Sequence, residues 1–159
     1  MIEVKNLTKK FGDTKALDGI DFTVNKGEIL GFLGPNGAGK TTAMKILTSF
    51  WPQDDGEVKI DDQDIKTHSL ETRKKIGYLP ETVPLYEDMT VYEYLKFVAS
   101  VRDIKKADIN DKIREVAGSC GLQNVLKKAV EELSKGYRQR LGLAQAIIHD
   151  PEVLILDEP

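Results

Sequence analysis

The chain has 159 residues, of which 40% are apolar and 31% are charged, and its formal net charge is −3. These values are ordinary for one soluble globular domain with a real core. The slight acidity and the lack of a basic block disfavour nucleic acid as the main partner, because phosphate backbones are bound by clustered Lys and Arg. The lone Cys120 allows no internal disulfide, and no apolar run approaches the ~18 residues that a membrane span needs. We therefore expect a cytosolic protein without a transmembrane segment of its own.

The N-terminal part of the chain has strand patterns separated by turns. Residues 2–4 predict a short strand, and residues 9–13 predict a turn that exposes an aromatic ring. Apolar and polar residues alternate over 20–25, as in a half-buried strand. The turn that follows predicts a tight connection to a second strand at 28–33. A further alternating strand is predicted at 57–60.

The segment after residue 33 carries a phosphate-binding pattern. Residues 34–41 read G-P-N-G-A-G-K-T, which is G-x-x-x-x-G-K-T between a predicted strand and a helix predicted over 40–49. Glycines allow backbone N–H groups to point inward at the positive end of the helix, where an anion binds. Lys40 adds a point charge for the outer phosphates, and the Thr41 hydroxyl is placed to ligate Mg²⁺. The alternative is a glycine-rich turn that merely caps the helix, but the pattern favours binding of a nucleoside triphosphate.

The middle of the chain changes from mixed to helical patterns. After a short helix capped by Ser69, an apolar strand is predicted at 76–79. Residues from about 85 to 145 have helical periodicity and almost no strand signal. A capping box at 90–93 begins one helix, and Gly121 ends another. We expect this segment to be a helical insert between strands of one sheet.

Two acids follow an apolar strand at the end of the sequence. Ser134 caps a third helix, and the apolar run at 153–156 predicts a central parallel strand that is covered on both faces. Asp157 and Glu158 come directly after it. Taken alone, Ser134 is simply a helix cap, and the two acids are solvated carboxylates after a strand.

Three features together identify a resemblance: the phosphate loop, the run L-S-K-G-Y-R-Q at 133–139, and the D-E-P sequence at 157–159. Together they resemble the ATP-binding domain of ABC-type ATPases over essentially the whole chain. The resemblance implies an α/β P-loop fold with an N-terminal antiparallel β-subdomain, a parallel core sheet and an inserted helical subdomain. It implies a single domain, 1–159, that is incomplete at its C-terminus, since the family's domain continues beyond the acid pair. We therefore expect a fragment of a longer chain, poorly stable and inactive as an ATPase when isolated.

The resemblance also implies the roles of individual residues. The implied ATP-binding residues are Phe11, Gly34, Pro35, Asn36, Gly37, Ala38, Gly39, Lys40, Thr41 and Thr42. Phe11 stands where an aromatic ring stacks on adenine; Tyr is usual there, but Phe keeps the π-face. Lys40 also contributes to catalysis.

The remaining implied roles concern metal, water and a second molecule. Mg²⁺ is held by Thr41, by Asp157 through water, and by Glu81, which stands where the family usually has Gln. Glu158 is the general base that polarises the attacking water. The signature loop Ser134, Lys135 and Gly136 would bind the γ-phosphate on an opposing domain.

The resemblance implies an ATP-binding and ATP-hydrolysing subunit of a membrane ABC transporter, and the variants around Glu81 are similar to ATPases of exporters whose permease is a separate chain. Its partners would be a second ABC ATPase domain, as an ATP-dependent homodimer, and an integral membrane permease that places it at the inner face of the cell membrane. One alternative is a soluble ABC ATPase acting on ribosomes or DNA, although the sequence has no zinc-binding cysteines, long coiled coil or basic linker. The other is a regulatory domain that binds ATP without hydrolysis, against which the intact Lys40, Thr41, Asp157 and Glu158 argue.

Overall fold

The computed structural model describes residues 1–158, so Pro159, the last residue of the D-E-P run, lies outside the described residues. The chain divides into two compact units, Met1–Lys75 and Ile76–Pro159. The first unit contains an antiparallel sheet and two helices, and the second contains a parallel strand pair and three helices. The predicted α/β class is confirmed.

The sheet of the first unit has four strands in the order β2-β1-β3-β4. Their bounds are β1 Ile2–Phe11, β2 Thr14–Val24, β3 Asp55–Ile60 and β4 Gln63–Asp64. β1 is the centre of the sheet because it pairs antiparallel with both β2 and β3. Val4 and Leu7 of β1 and Val58 of β3 are buried. The predicted N-terminal antiparallel layer is thus confirmed.

The end of β1 differs from the prediction. Residues 9–11 belong to the strand rather than to a turn, and only Gly12 and Asp13 form the loop. The reason is that Phe11 pairs with Thr14, which closes a hairpin across a two-residue connection.

The strand predicted at 28–33 is wrong. Glu28 N donates to Asn25 O at 3.1 Å and closes the predicted turn, but no strand ladder follows within the described part of this unit. The side chains of Ile29 and Leu33 are 96% and 95% exposed. An apolar run becomes a strand only where a neighbouring chain accepts its ladder, and β2 pairs with β1 alone.

The two helices of the first unit are α1 Lys40–Leu47 and α2 Ser69–Lys74. α1 ends two residues earlier than predicted. Ser69 is the first helical residue of α2 and not its cap, because the first bond runs from Thr72 N to His68 O at 2.9 Å. The predicted serine cap is therefore wrong.

The second unit contains the helical segment between two parallel strands. Its elements are β5 Ile76–Leu79, α3 Val91–Val101, α4 Ile109–Cys120, α5 Lys135–Ile147 and β6 Val153–Leu156. The capping box that begins α3 is present, and Gly121 ends α4 with φ 66°, as predicted. Buried apolar side chains from all three helices form one core. The position of the three helices between β5 and β6 agrees with the predicted insert.

β5 and β6 form a parallel pair with Ile76 opposite Val153 and Leu79 opposite Leu156. β6 is not covered on both faces, since Leu154 is 44% exposed. A Cβ on Gly77 would lie 2.1 Å from Ala146 O, so α5 packs directly on the β5 backbone. This close packing fixes the edge of the strand pair that carries the predicted acids Glu81, Asp157 and Glu158.

Candidate functional site

The phosphate loop leads into α1 through two glycines in the left-handed region. Gly39 is the N-cap of α1, with φ 88° and no side-chain capping bond, and Gly37 has φ 83°. A Cβ on Gly39 would lie 2.3 Å from Ala16 O and 2.8 Å from Leu17 Cδ2. Only glycine therefore fits there without displacing β2. The first N–H groups of a helix have no intrahelical acceptor, and a helix N-terminus of this kind suits an anion.

Lys40 holds its ammonium group over the same loop. Its Nζ donates to Gly34 O at 2.8 Å and to Pro35 O at 3.1 Å, while Ala38 N donates to Pro35 O at 3.2 Å. Residues 34–38 are exposed. The loop thus offers a cation and backbone amides to the solvent, an arrangement that suits a polyphosphate. Thr41 and Thr42 follow in the first turn of α1, half-exposed.

Phe11 lies at the tip of the β1–β2 hairpin, close to that loop. It pairs with Thr14, and Ala16, whose carbonyl oxygen lies against Gly39, is two residues further along β2, or about 7 Å. Phe11 is 45% exposed, and its ring meets the Trp51 ring edge-on with centroids 5.1 Å apart and has Lys9 Nζ 5.6 Å from its centre. One exposed aromatic surface is therefore available within reach of the phosphate loop. Sequence reasoning missed Trp51, whose only signal is an aromatic residue soon after the loop helix.

In the second unit, three acids lie at the carboxyl ends of β5 and β6. Asp157 N donates to Leu79 O at 2.9 Å, which extends the strand pairing by one residue. Asp157 is buried, with 2% exposure, whereas Glu158 is exposed and has φ 51°. Glu81, two residues beyond the end of β5, is also exposed. Since parallel strands end at the same edge, the structure brings Glu81, Asp157 and Glu158 to one end of this sheet.

The Tyr78 hydroxyl lies close enough to Asp157 to be affected by its charge. Burial, followed by the negative charge of Asp157, raises the pKa of the Tyr78 hydroxyl. On the helix side, Gln145 Nε2 donates to Tyr78 O at 2.9 Å and so links α5 to β5. A neutral tyrosine and a buried strand end limit the access of water to this carboxylate.

The predicted metal donors are all oxygen atoms, the ligand type that a hard cation such as Mg²⁺ prefers. Within residues 1–158, no three His, Cys, Asp or Glu side chains lie close enough together to hold a metal ion. The predicted donors are the Thr41 hydroxyl in the first unit and the Glu81 and Asp157 carboxylates in the second. Mg²⁺ is usually bound by one or two protein oxygens together with waters and substrate phosphates.

The signature loop forms the exposed N-terminus of α5. Ser134 is the N-cap and its Oγ accepts from Tyr137 N at 3.4 Å, so the predicted cap is confirmed. Ser134, Lys135 and Gly136 are exposed. Arg138 holds this turn by donating to Leu133 O at 3.2 Å and to Glu87 Oε1 at 2.6 Å, contacts that the sequence did not reveal. The helix start is thus fixed and open to a second molecule.

The predicted residues are distributed over both units. Phe11 and the phosphate loop belong to the first unit, and Glu81, the signature loop, Asp157 and Glu158 belong to the second. None of the helices that the structure describes is both long and apolar enough to cross a membrane.

Comparisons with known proteins agree on one family. A sequence profile of the family described as "ABC transporter" matches residues 17–159. The "Probable multidrug ABC transporter ATP-binding protein YbhF" of Escherichia coli (strain K12) is 40% identical over 159 residues, which are 100% of this chain and 28% of that protein. The "Bacitracin transport ATP-binding protein BcrA" of Enterococcus faecalis is 41% identical over 160 residues, or 100% of this chain and 51% of that protein.

A solved structure agrees with the sequence relatives. The one described as "Structure of ATP binding subunit of ABC transporter" has a TM-score of 0.91 at 28% identity and covers 100% of this chain and 66% of its own. This similarity confirms the predicted fold. The chain spans 28% and 51% of the length of the two relatives named above.

Proposed function

This chain belongs to the ABC transporter family of ATP-binding proteins, and we propose that it is part of a subunit that binds and hydrolyses ATP to power a membrane exporter. The names of similar proteins support the exporter direction, since they include multidrug and bacitracin transport. The intact acid pair Asp157 and Glu158 supports hydrolysis as well as binding.

The observation that carries the proposal is the geometry of the phosphate loop. Gly39 lies where a side chain would collide with Ala16 O at 2.3 Å, and Lys40 Nζ is held over the loop by two carbonyl groups. The loop is therefore pressed against β2 at Gly39, while residues 34–38 are exposed and carry the Lys40 ammonium group over them. Phe11 pairs with Thr14, which lies two residues before Ala16 in β2. The exposed Phe11 ring near the loop supports stacking of adenine on it.

The remaining residues act on metal and water in the proposed reaction. Bound Mg²⁺ would neutralise charge on the phosphates, with the Thr41 hydroxyl and the Asp157 carboxylate as protein donors and Glu81 as a further oxygen donor. Glu158 accepts a proton from the attacking water. A general base of this kind contributes about 10²–10⁴-fold to the rate.

The exposed start of α5 supports a site completed by a second molecule. Ser134, Lys135 and Gly136 present a hydroxyl and helix N–H groups to an anion on an opposing ATPase domain. ATP would then hold two copies together, and loss of the γ-phosphate would release them. An integral membrane permease is the proposed second partner and would hold the protein at the cytoplasmic face of the membrane.

The test uses the full-length natural protein and its Lys40→Ala variant. Because the variant loses charge-assisted contacts to phosphate, we expect its affinity for Mg·ATP to fall by about tenfold or more in calorimetric titration. The control is Lys5→Ala, which removes an exposed lysine whose ion pair with Glu3 spans 3.9 Å. Equal ATP affinities in the two variants would refute phosphate binding by this loop. Uptake rather than efflux by cells carrying the intact transporter would refute the exporter direction.

A further inference from the structure

Phe11 is supported by Trp51 and Asp54, two residues that have no role in the proposed function. β3 begins to pair with β1 at Asp55, opposite Thr8, so the last residues of β1 have no strand partner on that side. Asp54 occupies this position instead. Its N–H donates to Thr8 O at 3.0 Å, its Oδ1 accepts from Lys9 Nζ at 2.8 Å, and its Oδ2 accepts from Lys10 N at 2.7 Å. These contacts fix the backbone immediately before Phe11.

The Asp54 carboxylate is well suited to this task. The Lys9 hydrogen bond, followed by the Lys10 backbone N–H, holds the pKa of Asp54 below its usual value, so the group stays ionised at neutral pH. Lys9 is buried, with 9% exposure, and its Nζ also lies 5.6 Å from the centre of the Phe11 ring. The Lys9 ammonium thereby contacts both the Asp54 carboxylate and the Phe11 ring.

Trp51 holds the ring itself. Its indole meets the Phe11 ring edge-on, with centroids 5.1 Å apart and planes at 66°. Trp51 is in turn fixed to α1, because its backbone N–H donates to Lys45 O at 3.1 Å and the Lys45 ammonium lies 4.4 Å from the indole centre. The orientation of Phe11 is therefore tied to the helix whose first turn carries the phosphate loop.

We propose that Trp51 and Asp54 are positioning residues for base binding, which keep the exposed face of Phe11 turned toward the adenine of a nucleotide whose phosphates lie on the loop at 34–41. The inference rests on the proposed function, since it requires ATP to bind at Phe11. Trp51 sets the ring plane, and Asp54 sets the strand end from which the ring projects. Loss of either residue leaves the phosphate loop intact and lets the ring turn away from the base.

The experiment separates base binding from phosphate binding in the full-length protein. Calorimetric titrations measure the affinities for Mg·ATP and for inorganic triphosphate, which lacks the base and reports on the loop alone. Phe11→Ala sets the size of the base contribution, expected at about tenfold in ATP affinity. We expect Trp51→Leu and Asp54→Ala to lower ATP affinity by about threefold to tenfold with the triphosphate affinity unchanged.

Two further variants guard against a merely structural effect. Asp54→Asn keeps an acceptor for the Lys10 N–H and should recover part of the ATP affinity. Asp18→Asn removes a carboxylate that pairs with Lys15 at the same distance, 2.8 Å, but this ion pair lies within β2, so the change should alter neither affinity. Asp54→Ala leaves a buried lysine without its carboxylate and can fail to fold, in which case Trp51→Leu decides, because it preserves the ion pair.

Fluorescence gives an independent readout, because Trp51 is the single tryptophan of these 159 residues. The difference signal between the wild type and Trp51→Phe should change when ATP is added and stay constant with triphosphate.

The proposal is overturned if Trp51→Leu keeps the wild-type ratio of ATP to triphosphate affinity, or if it lowers both affinities equally. If the wild type binds triphosphate and none of the Phe11, Trp51 and Asp54 substitutions changes the affinity for ATP, only the base-binding inference is refuted. A wild type that binds neither ligand refutes the proposed function and this inference together.

Discussion

Replacement of Gly39 by alanine tests whether the phosphate loop is pressed against β2 as the structure shows. The new Cβ would lie 2.3 Å from Ala16 O and 2.8 Å from Leu17 Cδ2. Ala16 cannot retreat easily, since its neighbours Lys15 and Leu17 pair with β1. The overlap therefore costs about 1–3 kcal/mol as overpacking. The left-handed backbone, with φ 88°, adds about 1–2 kcal/mol for any residue with a Cβ.

Gly37→Ala is the matched control. Gly37 lies in the same loop with φ 83°, but a Cβ there would meet nothing within 4 Å. Both changes are Gly→Ala, so the entropy lost by the unfolded chain is common to the two and cancels. The difference between the variants is then the overlap alone, about 1–3 kcal/mol in the free energy of unfolding.

The assay is urea-induced unfolding of the full-length protein, followed by circular dichroism, with calorimetric titration of Mg·ATP alongside it. We expect Gly39→Ala to be less stable than Gly37→Ala by the amount above, or to relieve the overlap by moving the loop and losing ATP affinity. If the two variants have equal unfolding free energies and equal ATP affinities, the close approach of the loop to β2 is wrong.

Three further predictions concern the second unit. Glu158→Gln should bind ATP but turn over at least about tenfold more slowly, and undiminished turnover would remove Glu158 from the role of base. In Gly142→Ala the new Cβ would lie 2.6 Å from Val83 Cγ2, and the free energy of unfolding measured in thermal unfolding should fall by about 1–3 kcal/mol. The control Gly118→Ala lies inside α4 with its nearest atom at 3.8 Å, and its free energy of unfolding should rise by about 0.5–1 kcal/mol. Burial, followed by a nearby arginine charge, lowers the pKa of His149 below 6.5 in the folded protein. As the pH drops, the unfolded chain therefore binds a proton before the folded one does, and the free energy of unfolding should fall below about pH 6.5. His149→Gln should flatten this pH dependence, and an unchanged slope would contradict the prediction.

Features encoded by a few consecutive residues were predictable from the sequence. The capping box at Thr90, the Gly121 helix end and the Ser134 cap all agree with the structure. The phosphate loop belongs to the same class, because its glycines and its lysine act within eight positions of one another. Local hydrogen bonds and backbone freedom determine such features, and both can be read from neighbouring residue types.

Features that need a distant partner were not predictable in the same way. The strand expected at 28–33 has no ladder among the described residues, and β6 leaves Leu154 exposed. Both segments are apolar, but an apolar run does not specify which chain segment lies beside it. Which chain lies beside it is a matter of tertiary contacts.

Phe11, Trp51 and Asp54 show the same contrast between local and distant features within one proposed site. The position of Phe11 followed from the resemblance, but nothing in the sequence related it to Trp51 or Asp54, which are about forty residues away. The sequence by itself determined the family, the glycine and lysine pattern of the loop at 34–41 and the helix ends, because each depends on residue type at short spacing. The tertiary structure alone decided that Gly39 meets β2, that the acids share one sheet edge and that Trp51 supports Phe11. Those contacts arise because the pairing of strands far apart in the chain brings their side chains within a few ångströms of each other.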